Sequence, residues 1–300
     1  MKILFFTGKG GVGKSTNSAL FAVQLAKAGY TVLLNSIDPA HNLKDIFECR
    51  LGMEPKEIMD GLKVMETDLS VWVKKYLRDT EKNFKEVYKY QKAFNLQKYF
   101  TTLKYSPGLE EYAVLLALND TISRFKELDF IIFDTPPTAL TLKFLALPDV
   151  SILWLKELSK FRQSILDKKE IITKIKQGGR KKKEVEKDPV LSKLNSLVHR
   201  YDSLISLLKD PDMTKIIVVL NPDQLSFNES CTIIYELSDL KLKVSHIIVN
   251  KYRGQEKFTS EVSACFEDIP VVTLDLQDSE ITGVKKLTEI NIPINLASFK

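Results

Sequence analysis

Gly8-Lys9-Gly10-Gly11-Val12-Gly13-Lys14-Ser15-Thr16 is the stretch that decides how this 300-residue chain is read. Counted from Gly8, it runs G-x-x-x-x-G-K-S, the spacing of a phosphate-binding loop. Glycines let successive backbone N–H groups turn inward with no Cβ in the way, which makes a nest for phosphate oxygens. A helix opening near Lys14 adds the positive end of its dipole. Lys14 is placed to reach β- and γ-phosphates, and the Ser15 hydroxyl to ligate Mg²⁺. The flanks agree. An apolar run over 3–6 precedes the loop as a strand, and Leu20, Phe21, Val23 and Leu25 follow as the apolar face of a helix.

Outward from this loop, short apolar runs alternate with helical patterns. Residues 3–6, 31–34, 130–133, 151–155, 215–220, 246–249 and 270–274 are β-branched and nearly continuous, and read as strands buried on both faces. Several close on polar or proline turns: Asp38-Pro39, Asp134-Thr135-Pro136, Asn221-Pro222 and Asn250-Lys251. This order predicts an α/β fold, a doubly wound and mostly parallel sheet with its ligand at the carboxyl ends of the strands. Two stretches break the alternation. Residues 71–128 read mainly as helix, with Val73, Tyr76, Leu77, Phe84, Val87, Tyr88 and Phe94 near one stripe. Residues 156–210 read as helix broken at Gly178-Gly179 and Pro189, with 180–183 an exposed, mobile connection. The expected organisation is a single domain over 1–300, with a helical subdomain inserted from about 71–128 and 156–212.

The net charge is +5, from 44 basic and 39 acidic residues, and the excess is local. Residues 151–210 hold 15 Lys/Arg against 8 Asp/Glu. Such a segment fits nucleic acid, anionic lipid or an acidic partner, but it equally describes a solvated helical face. Cys49, Cys231 and Cys265 form no CxxC pair, so no local zinc framework is present, and an odd, sparse count suits a reducing compartment. No run approaches 18 uninterrupted apolar residues, and residues 2–6 are only a strand's length. These readings predict a cytoplasmic chain with neither signal peptide nor transmembrane segment.

Two acidic loops complete the expected site. Asp38, after the second strand, is placed to orient or deprotonate an attacking water, though an Asp-Pro turn with an Asx cap needs no such role. Asp134 ends an apolar run in the Walker B manner and would hold Mg²⁺ through water. Asn250-Lys251 stands where GTPases carry Asn-Lys-x-Asp, but the fourth position is Arg253, so the carboxylate that reads guanine is missing. Adenine is therefore expected, with Asn250 touching the base, and the cofactors are ATP and Mg²⁺.

Taken in order, Gly8 to Thr16, Asp38-Pro-Ala-His41, Val64-Met-Glu-Thr-Asp68, Asp134-Thr-Pro-Pro-Thr138 with Thr141-Leu-Lys, and residues 219–250 resemble the ArsA family of deviant P-loop ATPases. That family holds the arsenite-pump ATPase and the ATPases that target tail-anchored membrane proteins. The resemblance implies that Lys9 is the signature lysine that reaches a partner's nucleotide across a dimer; read alone, it is a basic residue near phosphate. It also implies that Lys14, Ser15 and Thr16 serve phosphate and magnesium, that Asp38 is the catalytic acid of the first switch, and that Asp134 opens the second. With one ATPase unit, the chain is expected to act as a homodimer. In the targeting branch, paired helical subdomains form an apolar groove for a client's transmembrane helix, a role for which the aromatics of 71–128 are candidates and the subdomain core the plain alternative.

The chain departs from the family pattern in Asn42, in Ala139-Leu140 at the second switch, where Gly-His is usual, and in lacking the zinc cysteines. Three functions stay open at this point. The first is an ATP-driven switch that handles a hydrophobic membrane-protein segment. The second is a ParA/MinD-like positioning ATPase on DNA or a membrane surface, although nucleic acid is not the expected partner. The third is the energy-supplying subunit of an arsenite pump, which needs soft thiolates that three scattered cysteines supply poorly.

Overall fold

Strand β1 (Lys2–Thr7) lies in the middle of a sheet that also contains β2 (Val32–Ser36), β3 (Lys56–Met59), β4 (Leu62–Glu66), β5 (Phe130–Asp134), β6 (Thr214–Leu220), β7 (Val244–Tyr252) and β8 (Val271–Asp275). The computed structural model describes residues 1–40, 42–87, 106, 108–176, 188–293 and 299. The strand order is β3-β4-β2-β5-β1-β6-β7-β8, and every pairing is parallel except β3 with β4 at one edge. Chain direction therefore brings the carboxyl ends of β2, β5, β1, β6 and β7 to the same edge, where the phosphate loop leaves β1.

Side chains alternate strictly between two cores, as a doubly covered parallel sheet requires. Ile3, Phe5, Leu33, Ile131, Phe133, Ile216 and Val218 face one core. Its cover is α4 (Leu109–Arg124), α5 (Thr138–Lys176), α6 (Pro189–Lys209), α7 (Gln224–Asp239) and α8 (Glu256–Cys265). Leu4, Phe6, Val32, Leu34, Ile132, Ile217 and Val219 face the other core. That face is closed by α1 (Lys14–Lys27), α2 (Leu43–Ile46) and α9 (Val284–Glu289). Aromatic rings join strands to strands and strands to helices: Phe5 stacks on Phe133 at 5.2 Å, and Phe6 meets Phe21 of α1 edge-on at 5.0 Å. A small third cluster sets Trp72 of α3 (Leu69–Val87) on Ala113 and Ala117 of α4.

Two expectations are corrected. Residues 151–155 are not a strand; they lie in the middle of α5, which runs 39 residues without a break. Four continuous apolar residues after Ser151 carry no period of their own, and only the longer stretch, with Leu142, Leu145 and Ile152 buried and Trp154, Leu158 and Phe161 exposed, shows the helical one. The hairpin of β3 and β4 was not anticipated. Its signal is the two-residue turn Asp60-Gly61, a pairing that hairpins favour because the turn needs positive φ. Tyr88 and Phe94 of the expected aromatic stripe, the Gly178-Gly179 break, residues 180–183 and His41 lie outside the described residues, as do the side chains of Phe84 and Val87.

Helix α5 sets the shape of the helical part. Over Thr138–Lys169 it is long and apolar enough to cross a membrane by length and composition, and its most apolar window is 33% buried. Its first turns belong to the sheet core through Leu142, Phe144 and Leu145. Ion pairs fasten it to α6: Lys209 Nζ meets Asp149 at 2.9 Å, and Arg162 meets Asp188 at 2.7 Å. Asp188 also caps α6, accepting from the backbone N–H of Leu191.

Gly61 has φ +77°, and a Cβ there would stand 2.8 Å from the Tyr30 carbonyl oxygen. Gly61→Ala is expected to destabilise the chain by about 1–3 kcal/mol. Urea denaturation would read this as a lower midpoint at unchanged slope.

Candidate active site

The phosphate loop is held in shape by its neighbours. A Cβ on Gly8 would lie 2.2 Å from the Val219 carbonyl oxygen, so the loop leaves β1 pressed against the backbone of β6. Gly13 has φ +94°, and a Cβ there would meet Asn250 Nδ2 at 2.3 Å. That amide donates to the Val12 carbonyl at 2.7 Å, and the next residue, Lys251, donates through Nζ to the Gly11 carbonyl at 3.2 Å. Val12 itself is buried in the α1 core and anchors the loop from below. Nothing lies within 4 Å of where a Cβ would stand on Gly10 or Gly11, so the upper side of the loop is open. Helix α1 starts at Lys14 with Gly13 as its cap residue, with no side-chain cap bond and no acidic residue in its first turn. Its first N–H groups and its dipole thus point at the open side, the arrangement that receives phosphate.

Charge is concentrated beneath that opening. Lys14 is buried, and its Nζ donates to the Lys9 carbonyl at 3.3 Å. Burial holds its pKa below the ordinary lysine value, while Asp134, Asp38 and Glu229 pull it back up. Asp134 is wholly buried; its Oδ2 accepts from Ser36 Oγ at 3.1 Å, and the Ser15 hydroxyl faces the same carboxyl. Burial pushes Asp134 up to about 6, against the restraining bonds from Ser15 and Ser36. Asp38 is buried with one carboxylate oxygen accepting from the Ala40 N–H at 3.0 Å, an Asx turn that fixes its direction. Lys9 and Thr16 are half-buried on the loop, and Lys9 has no side-chain hydrogen bond or ion pair among the described residues.

The donor set fits Mg²⁺. Asp134 Oδ1 is buried with no hydrogen-bond partner, beside the Ser15 hydroxyl. One hydroxyl and one carboxylate are what Mg²⁺ takes when nucleotide oxygens and waters complete its octahedron. Among the described residues no three His, Cys, Asp or Glu groups gather as a self-sufficient metal cage. Buried oxygens of Thr7, Asn17 and Asn221 likewise lack partners. They lie at the end of β1, in the first turn of α1 and just after β6.

The structure thus brings Gly8, Lys9, Gly10, Gly11, Val12, Gly13, Lys14, Ser15, Thr16, Asp38, Asp134 and Asn250 to one end of the sheet. Asn250 is placed against the loop backbone. Three participants went unread in the sequence. Ser36 orients Asp134 from β2; Lys251 supports the loop; and Glu229, in the middle of α7, accepts from Thr138 Oγ1 at 3.1 Å and acts on Lys14. Ser36 and Glu229 carry no local signal, because only the sheet order brings β2 and α7 alongside. The segment after Asp134, expected to be the second switch, is tied down as well, with Thr135 Oγ1 donating to the Phe6 carbonyl and Thr141 Oγ1 to that of Pro136, each at 2.7 Å. Ala139 is exposed and Leu140 half-buried at the start of α5.

The profile of the anion-transporting ATPase family matches residues 1–295. A relative from Aquifex aeolicus (strain VF5), named "Putative arsenical pump-driving ATPase 2", is 30% identical, with 97% of this chain and 98% of the relative covered. The protein named ATPase get3 of Schizosaccharomyces japonicus is 28% identical over 97% of this chain and 91% of its own. One named ATPase ASNA1 homolog 1, from Paramecium tetraurelia, is 27% identical over 96% and 91%.

With its pKa raised to about 6 from an ordinary 3.8, Asp134 in the folded, ligand-free chain keeps a proton that the unfolded chain has lost. The group stabilises the fold below that window, and its contribution disappears as pH rises through it. Asp134→Asn is expected to remove a fall in stability on the order of 2–3 kcal/mol between about pH 4 and 6. Denaturation curves of both chains across that range, without metal or nucleotide, measure it.

Proposed function

Because the chain belongs to the anion-transporting ATPase (ArsA) family, we propose that it is a dimeric switch that uses ATP to handle a hydrophobic segment of a membrane protein. The chain is an ATPase, and the proposal concerns what its hydrolysis drives. The supporting observation is an exposed apolar stripe on α5. Val150, Trp154, Leu158, Phe161, Ile165 and Ile172 fall on one face of the helix, and Trp154 and Phe161 are each 67% exposed. The stripe lies outside the region where the sequence first suggested a client surface, on the helix that starts four residues after Asp134. A chain segment thus leads without interruption from the second switch to the apolar face.

The residues divide the chemistry as follows. The loop amides and Lys14 bind the phosphates and offset the charge that develops on the transferred phosphoryl group. Ser15 and Asp134 would hold Mg²⁺, which when bound neutralises phosphate charge as the bond to the leaving group breaks. Asp38, fixed by its Asx turn near Lys14, orients the attacking water and accepts its proton. Asn250 serves twice, bracing the loop and contacting adenine. Lys9, without a side-chain partner among the described residues, reaches the nucleotide of a second copy, so that the dimer closes on ATP and reopens after hydrolysis. The same reading places the protein in the cytosol, where a client segment is met before it reaches a membrane.

Relatives named as arsenical pump-driving ATPases favour a second reading, the energy-supplying subunit of an arsenite pump. Arsenite seeks soft thiolates. Cys49 packs against the core under α1, and Cys231 against the opposite core, so the three thiols of one chain do not converge. A positioning role would lean on the basic segment 151–210, of which residues 177–187 lie outside the described residues.

Asp38→Asn is expected to retain ATP with Mg²⁺ and to lower turnover by about 10²- to 10⁴-fold, measured as steady-state phosphate release. Turnover near wild type would reject Asp38 as the catalytic acid. Lys9→Ala should fail to form the ATP-dependent dimer that light scattering detects for the wild type, both remaining monomeric with ADP. Wild-type protein should keep a tail-anchor peptide from aggregating, and Trp154→Asp with Phe161→Asp should abolish this while changing stability by less than about 1 kcal/mol. If the wild type does not protect the peptide, the client reading fails.

A further inference from the structure

All three cysteines are free, and two of them meet. Helices α7 and α8 follow the adjacent strands β6 and β7 and cover the same face of the sheet. Phe227 of α7 brings them together, its ring 5.9 Å from Phe258 and 6.3 Å from Phe266. Cys231 stands one helical turn beyond Phe227, and Cys265 immediately precedes Phe266. The two thiols are near enough to act on each other's ionisation. Cys265 is exposed and Cys231 half-buried, and burial with the neighbouring sulfur pushes the Cys231 thiol up to about 11. Cys49 is on the other face of the sheet. The packing of Phe227 on Phe258 and Phe266 thus sets both cysteines at the same helix–helix seam, and a disulfide there needs a sulfur–sulfur bond of about 2 Å.

We propose that Cys231 and Cys265 form a thiol–disulfide exchange site whose co-reactant is a small disulfide such as oxidised glutathione. The exposed Cys265 sulfur attacks one sulfur of the small disulfide. A mixed disulfide forms, and one small thiol leaves carrying the proton. The Cys231 sulfur then attacks the Cys265 sulfur and releases the second small thiol with its own proton. The two cysteines are oxidised by two electrons, and the small disulfide is reduced to two thiols. The order follows from access: Cys265 meets the reagent, while Cys231, half-buried and weakly ionised, attacks only a sulfur already in contact with it. The bond closes a loop from residue 231 to 265 and ties α7, which carries Glu229, to α8, which follows the strand bearing Asn250.

The test incubates the full chain with oxidised glutathione, blocks the remaining thiols, digests without reductant and maps the linked peptides by mass spectrometry. The expected result is one intramolecular Cys231–Cys265 link, with the thiol count falling from three to one and Cys49 still free. Cys231→Ser should stop at glutathione on Cys265, and Cys49→Ser should lose two thiols like the wild type. The linked chain should melt higher by about 5 °C or more, because the closed loop restricts the unfolded chain. Persistent glutathione on wild-type Cys265, or a link between two chains in place of the internal one, would overturn the proposal.

Discussion

Everything at the candidate site depends on a backbone brought too close for a side chain. Gly8 lies against the Val219 carbonyl, and Gly13 against the Asn250 amide, with no room for a Cβ at either place. Between these contacts the loop is fixed on β6 and β7 while its upper amides stay open. The bond from Asn250 to the Val12 carbonyl makes the loop part of the sheet rather than an appendage of β1. Preorganisation of this kind means that the amides need not be gathered when phosphate arrives, which is the condition under which dipoles stabilise a developing charge most effectively.

Beneath the loop, one buried lysine faces three carboxylates. A triphosphate could not enter such a place if all were ionised and nothing offset them. Burial raises the pKa of Asp134 to about 6, so in the ligand-free chain its carboxyl holds a proton only below that pH and is ionised above it, when a cation can be received. Unpartnered oxygens of Thr7, Asn17, Asp134 and Asn221 are consistent with a site built for polar company, since buried polar groups are rarely left unpaired without reason.

What could be read in the sequence divides along physical lines. The phosphate loop is a local device, so its glycine spacing between a strand and a helix announced both the fold class and the end of the sheet that matters. Asp134 was legible because it ends an apolar strand, and Asp38 because it follows one by two residues. Ser36 and Glu229 were not, since their neighbours come from sheet order and not from chain proximity. The error over 151–155 has another origin. A helix that buries one end and exposes an apolar face along the rest hides its period in any short window. The Asp60-Gly61 hairpin was readable in principle, but β3 is only four residues long and its side chains are partly exposed, so the binary pattern that marks a strand is faint.

Pro148 lies inside α5, ten residues from its start. It offers no N–H to the carbonyl four residues earlier, that of Phe144, whose side chain is wholly buried in the sheet core. The helix is therefore anchored in the sheet core before the missing bond, touches that core just beyond it through Ile152 and Leu155, and bends at the proline at less cost than elsewhere. Beyond Pro148 the helix extends for about 40 Å at 1.5 Å per residue. A tilt of about 5° at the proline sweeps the far end through roughly 4 Å at that rise per residue. The Asp149–Lys209 and Arg162–Asp188 pairs make α6 travel with it. A displacement at the start of α5 too small to disturb the core would thus arrive at the apolar face enlarged, as at the long end of a lever.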